Sequence, residues 1–140
     1  MRIHFITVEY LASALIDMKL HLSKESNIDP DAFEKKELAA LGMPKEIVMR
    51  HRTPQFGHIF SSDEYSAGYY SYLWSDVHSA DAFEAFTEAK GPYDKEVGKR
   101  LIDYVFSVGS TIDEAEGYKK FRGKEPGIAA LMRDRGFPDK

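Results

Sequence analysis

His51-Arg-Thr-Pro-Gln-Phe-Gly-His-Ile-Phe-Ser-Ser-Asp-Glu-Tyr-Ser-Ala-Gly-Tyr-Tyr-Ser-Tyr-Leu-Trp74 reads as a loop that feeds an aromatic helix. Pro54 and Gly57 break the first half. Ser61 and Glu64 have the spacing of a capping box, which predicts a helix from there to about His78, with a bend or restart at Ser79 to Asp81 before Phe83 and Phe86. The stretch holds two of the five histidines, four of the eight tyrosines and the only tryptophan. At 100° per residue Tyr65, Tyr69, Tyr72 and Asp76 share an arc of about 60°, and Tyr70, Leu73, Trp74 and Val77 fall in another. The second group is expected to face the core. The first presents phenol hydroxyls beside a carboxylate, a face that suits an interface or a polar ligand.

Working outward, the flanking periodicity is helical. Val8, Leu11, Leu15, Met18 and Leu22 form an apolar stripe on a first helix of roughly residues 5–23. After a turn at Ser26 to Ile28, Asp29 and Pro30 read as N-cap and first residue of a second helix of about three turns that Gly42 stops. Pro44 is expected to open a short third helix through Met49. Beyond the aromatic stretch, Gly91-Pro92 closes a segment. Val97, Leu101, Tyr104, Val105 and Val108 define a further stripe stopped by Gly109, Thr111 with Glu114 suggests another capping box, and Pro126 to Gly136 frames a last helix. No alternation of strand type, repeat or low-complexity tract competes. The expected fold is all-α, a single domain over residues 1–140 with six to seven helices and no sheet.

Composition narrows the function classes. A chain of 140 residues with 19 basic and 23 acidic side chains carries a net charge of −4. That charge is mild and evenly mixed, and it points to neither nucleic acid nor a membrane. With no cysteine there is neither a disulfide nor a thiolate metal site, and a reducing compartment suits the chain. The N-terminus has no apolar core of signal-peptide type and no run of about 20 apolar residues. The expected location is the cytoplasm.

Several blocks carry a resemblance. Phe56-Gly-His-Ile-Phe60 and Tyr65-Ser-Ala-Gly-Tyr-Tyr-Ser-Tyr-Leu-Trp-Ser-Asp-Val77 resemble the C-terminal part of the zinc metallopeptidase family of thimet oligopeptidase, oligopeptidase A and bacterial peptidyl-dipeptidase. So do Val8 to Met18, Asp81-Ala-Phe-Glu-Ala-Phe86, Phe121-Arg-Gly-Lys-Glu-Pro126 and Arg133-Asp-Arg-Gly-Phe137, in the same order. The wording is closest to the peptidyl-dipeptidase branch. The resemblance implies an all-helical segment of a peptide-hydrolysing domain. It also implies that Tyr65 and Tyr72 assist catalysis by donating to the oxyanion of the scissile carbonyl, and that His58 orients the peptide. Tyr69, on the same face, is expected to contact substrate.

The zinc motif of that family, H-E-x-x-H, is missing. The histidines His4, His21, His51, His58 and His78 include no i, i+4 pair, so no metal ligands are assigned and zinc is expected only in an intact family enzyme. The catalytic helices are expected upstream of Met1, which makes this chain a distal piece, inactive alone, whose partners are short peptides and either the missing portion or a second copy. Two departures stand out. No glycine lies between His58 and Tyr65, which argues for a stiff connection, and His78 is read as a surface or helix-end histidine. Arg122 and Arg133 read as solvated, and no nucleophile elbow supports Ser-His-Asp chemistry. The alternatives are a helical peptide-binding module without chemistry and a structural remnant that self-associates.

Overall fold

The computed structural model describes residues 2–137, with the side chain of Arg2 left aside. Among them lie six α-helices and no strand: α1 (Arg2–Leu22), α2 (Pro30–Ala40), α3 (Ser71–Thr87), α4 (Lys95–Leu101), α5 (Glu114–Arg122) and α6 (Ala129–Asp134). None is long and apolar enough to cross a membrane. The fold class is all-α, as the periodicity implied. The chain divides into two compact units, Met1–Tyr72 and Leu73–Lys140.

In the first unit the start of α2 follows local rules. Asp29 accepts from the Ala32 amide at 2.8 Å, Pro30 takes the first helical position, and Gly42 turns away with φ +67°. Pro44 does not open a helix: only a turn forms, with the Ile47 amide bonded to the Pro44 carbonyl at 3.0 Å. The core is Ala12, Ile16 and Met49, with Phe33, Leu38 and Met43 against it.

The predicted stripe of α1 turns out to be its outer side. Val8, Leu11, Leu15, Met18 and Leu22 lie within about 80° of arc, and Leu15 and Leu22 are exposed. The buried sides carry Thr7, Tyr10, Ala12, Ser13, Ala14, Ile16 and Asp17. Small and polar residues here let other backbone approach: the Ser13 hydroxyl accepts from the His51 amide at 3.2 Å.

The second unit is built on Ala85, Val97, Tyr118 and Phe121, with Ala82, Phe86, Leu101 and Val105 packed on them. α3 runs unbroken through Ser79 to Asp81, where a bend was expected. α4 starts on Asp94, whose carboxylate accepts from Glu96 and Val97 amides and is thereby held below its ordinary pKa, chiefly by the bond from Val97. Its stripe does not continue as α-helix: Ile102–Phe106 form a π turn in which the Ser107 amide reaches back to the Ile102 carbonyl at 2.9 Å. Gly117 of α5 explains the fit against this turn. A Cβ there would meet the Tyr104 carbonyl oxygen at 2.6 Å. The cap of α5 is Asp113, which accepts from the Glu116 amide at 3.0 Å; the expected Thr111 instead donates to the Val108 carbonyl at 2.6 Å. α6 starts three residues after Pro126 and ends at Asp134, two residues before Gly136, φ +71°.

Candidate functional site

The aromatic segment is not the helix its caps suggested. From Thr53 to Tyr65 it is three short 3-10 turns, Thr53–Gln55, Gly57–Phe60 and Asp63–Tyr65, and the helix begins only at Ser71. Ser61 makes no cap for it; its hydroxyl donates back to the His58 carbonyl at 2.7 Å. Ala67, with φ +57°, breaks the chain between Tyr65 and Tyr69. Tyr65 and Tyr72 therefore do not share a helical line.

The tyrosines nonetheless meet at one imidazole. The His58 ring lies 4.7 Å from Tyr65, 5.9 Å from Tyr69 and 5.9 Å from Tyr72 between ring centres. The Tyr72 hydroxyl is 3.5 Å from His58 Nε2, long for a hydrogen bond. Tyr65 and Tyr72 are half-exposed, at 44% and 51%, whereas Tyr69 is buried at 8%. The Tyr69 ring stacks on Tyr10 at 5.0 Å and meets Phe56 edge-on at 4.7 Å and Tyr72 at 5.6 Å. His51 stacks on Phe56 at 4.8 Å. Two open phenols and an imidazole thus rest on a closed aromatic floor.

What holds this arrangement lies far away in sequence. Asp17, fully buried, accepts from the Ala67 amide at 3.1 Å and the Tyr69 amide at 3.0 Å, and pairs with His21 at 2.8 Å. The Tyr10 hydroxyl donates to the Tyr69 carbonyl. Two turns of α1 therefore grip residues 67–69 by side chain to backbone. Sequence reasoning passed over Asp17; its only local signal is a carboxylate one residue after Ile16, amid apolar neighbours.

The other expected members of the tyrosine helix go elsewhere. Asp76 pairs with Arg135 at 2.6 Å. Tyr70 and Trp74, expected in the core, are half-exposed, and only Val77 of that group is fully buried. His78 is partly buried: its Nδ1 lies 2.9 Å from the Trp74 carbonyl, and its ring meets Tyr118 edge-on at 5.1 Å. Arg122 is not solvated. Its side chain is 5% exposed, with Nε on the Asp81 carbonyl and carboxylate and Nη1 and Nη2 on the two oxygens of Glu88 at 2.6 and 2.8 Å. Arg133 is half-exposed and bonds Glu84 at 2.6 Å.

Peptidase family M3 matches residues 4–137 of this sequence. The chain belongs to that family. It is 37% identical over 132 residues to the dipeptidyl carboxypeptidase of Escherichia coli, a match that covers 92% of this chain and 19% of that protein. It is 36% identical over 134 residues to the oligopeptidase A of Escherichia coli, covering 91% and 19%. Oligopeptidase A of Haemophilus influenzae is 44% identical over 82 residues, 59% of this chain and 12% of that protein. Identities of 37% and 36% do not separate the two branches, so the expected leaning toward peptidyl-dipeptidase is not resolved. The chain spans about a fifth of the length of these relatives.

The resemblance to zinc peptidases raises the question of a metal. Among the described residues no group of three or more histidine or carboxylate side chains is placed to hold an ion. His51 and His58 are engaged in the ring cluster. Among the described residues these side chains do not form a set of zinc donors.

Proposed function

We propose that this chain is the C-terminal, substrate-side segment of an M3 zinc peptidase, and that it binds the peptide without carrying the hydrolytic centre. The observation that supports this most is the open cluster in which the His58 imidazole lies 3.5 Å from the Tyr72 hydroxyl and against the Tyr65 ring. A polar group of a ligand can enter such a loose contact and be bound by both partners.

Each residue then has a role set by its exposure and chemistry. Tyr72 and Tyr65 present phenol O–H donors in solvent, suited to an amide oxygen that gains charge as its carbon becomes tetrahedral. His58 accepts from or donates to the peptide backbone beside them, and so sets which carbonyl faces the phenols. Tyr69, buried beneath, contributes to substrate binding as the floor on which His58 and Tyr72 are oriented. Asp17 positions that floor through the backbone. In this reading the water is activated by groups outside these residues, in the remaining portion of the peptidase. Short peptides are the ligands, and the cysteine-free composition supports a cytoplasmic setting.

The test is a titration of the 140-residue chain with a short peptide, followed by NMR at His58 and the tyrosine rings, together with hydrolysis of a quenched fluorescent peptide in the presence of zinc. Saturable shifts at His58 and Tyr72, weakened about tenfold by Tyr72→Phe, and no turnover are expected. Binding unchanged in both Tyr65→Phe and Tyr72→Phe would remove the site. Chelator-sensitive turnover with near-equimolar bound zinc would show that the chain carries its own hydrolytic centre.

A further inference from the structure

The second unit contains a half-open cavity of about 820 Å³ that neither the peptide-binding reading nor the family match uses. Its walls are mostly apolar: Trp74, Phe83 and Phe86 from α3, Tyr104 and Phe106 from the π turn, and Leu101. Within this chain Trp74 is 52% and Phe106 71% exposed, so both present aromatic faces to the cavity mouth. The π turn builds one wall. An α-helical continuation of α4 would rotate Tyr104, Val105 and Phe106 differently, and π insertions are frequent at functional sites.

The charged side chains that line this cavity have one sign. They are Asp113, Glu114 and Glu125, and no lysine or arginine lines it. Asp113 is committed to the α5 cap, and Glu125 is paired with Lys119 at 3.2 Å. Glu114 has no ion pair among the described residues. His78 Nδ1 lies on the Trp74 carbonyl, and the Tyr118 hydroxyl is spent on Asp81 and the His78 carbonyl. The available chemistry is therefore aromatic faces and carboxylates.

We propose that this cavity binds a small hydrophobic organic cation, an ammonium on an aromatic or aliphatic body. The volume falls within the range of about 300–1,000 Å³ typical of small-ligand sites. The apolar body lies along Phe83, Phe86 and Leu101, and the ammonium is held by the quadrupoles of Trp74 and Tyr104 and by the Glu114 carboxylate. An anion of the same shape meets carboxylates and is rejected.

Trp74, the only tryptophan, stands in the wall and reports directly. Three probes share one body and differ in charge: phenylbutylamine, phenylbutanol and phenylbutyrate. Each is titrated into the full chain with Trp74 fluorescence as the readout. The amine is expected to bind about tenfold more tightly than the alcohol, and the carboxylate most weakly. Glu114→Gln combined with Glu125→Gln, checked for unchanged helicity, is expected to erase the preference for the amine while leaving the affinity for the alcohol. No saturable response to the amine, equal affinity for amine and alcohol, or a preference for the carboxylate would each overturn the proposal, as would a charge preference that survives both substitutions.

Discussion

The cluster around His58 and the cluster around Arg122 use the same kinds of groups to opposite ends. In the first unit, Tyr65 and Tyr72 leave about half their surface in solvent, and the polar contact between the Tyr72 and His58 side chains is loose at 3.5 Å. In the second unit, Arg122 has all three of its nitrogens engaged, and the Tyr118 hydroxyl donates to Asp81 at 2.8 Å. The bonds from Arg122 hold the Glu88 carboxyl below its ordinary range, and the guanidinium itself is raised. A binding surface needs donors that are not yet used, whereas a core network is stable only when every donor is used. On the proposed reading, the contrast makes the His58 group the place for a ligand and the Arg122 group scaffold.

Breaking the scaffold should have the largest effect. Arg122→Ala leaves the Asp81 carboxylate, 2% exposed, without its main cation, although Lys124 remains at 3.6 Å. The expected loss is about 3–5 kcal/mol, as for buried pairs broken on one side. Urea unfolding followed by Trp74 fluorescence measures it. A loss below about 1 kcal/mol would mean that the network is dispensable and that the contrast with the His58 cluster is only one of exposure.

The next test sharpens the contrast from the other side. Asp17→Asn keeps the size but offers the Ala67 and Tyr69 amides one acceptor and one competing donor. It should cost about 2–3 kcal/mol and release the turn at Ala67. The NMR signals of His58 and Tyr72 should then move together even without ligand. If they stay fixed while stability falls, Asp17 supports the unit but does not position the site.

These residues also show what can be read from a sequence. The start of α2 was legible, as were the stops at Gly42, Gly91 and Gly136, because caps and positive-φ glycines act within a few residues. The late start of α3 was not. A capping box at Ser61 and Glu64 was overridden by Asp17, some 50 residues away, which draws two amides out of any helical ladder. The buried side of α1 was misread for a related reason: close approach of backbone favours Ala12, Ser13 and Asp17 over a leucine stripe. The family resemblance singled out His58, Tyr65 and Tyr72, whose rings lie together in the structure, while the shared helical face expected of the two tyrosines does not occur. The π turn leaves no signature in a three- and four-residue pattern, and only Gly117 hints at it.

Gly117 gives the third test. Gly117→Ala places a methyl group 2.6 Å from the Tyr104 carbonyl oxygen, which is backbone and cannot rotate aside. Overpacking of this kind costs about 1–3 kcal/mol. The π turn is expected to shift, so the response of Trp74 to phenylbutylamine should weaken along with stability. Loss of stability without change in that response would separate the packing of α5 from the cavity.

The smallest effect at neutral pH is the most informative about charge. Tyr118 is raised above the ordinary phenol pKa of about 10, first by burial and then by its bond to the Asp81 carboxylate, which it can make only while it keeps its proton. In the unfolded chain the phenol ionises near pH 10; in the folded chain it holds its proton to higher pH. The folded state thus binds more protons in that window, and the stability from this group, complete below about pH 10, falls as pH rises beyond it. Lys99, raised by its bond to Asp103, acts in the same direction. Tyr118→Phe removes only the first contribution. It is expected to cost about 1 kcal/mol at pH 7 and to flatten the decline above pH 10 relative to the parent chain, with Lys99 common to both. Urea midpoints of the two proteins at the two pH values decide it: parallel declines would mean that Tyr118 gives up its proton as readily folded as unfolded, and that its contact with Asp81 is not the closed one that distinguishes this cluster from His58 and Tyr72.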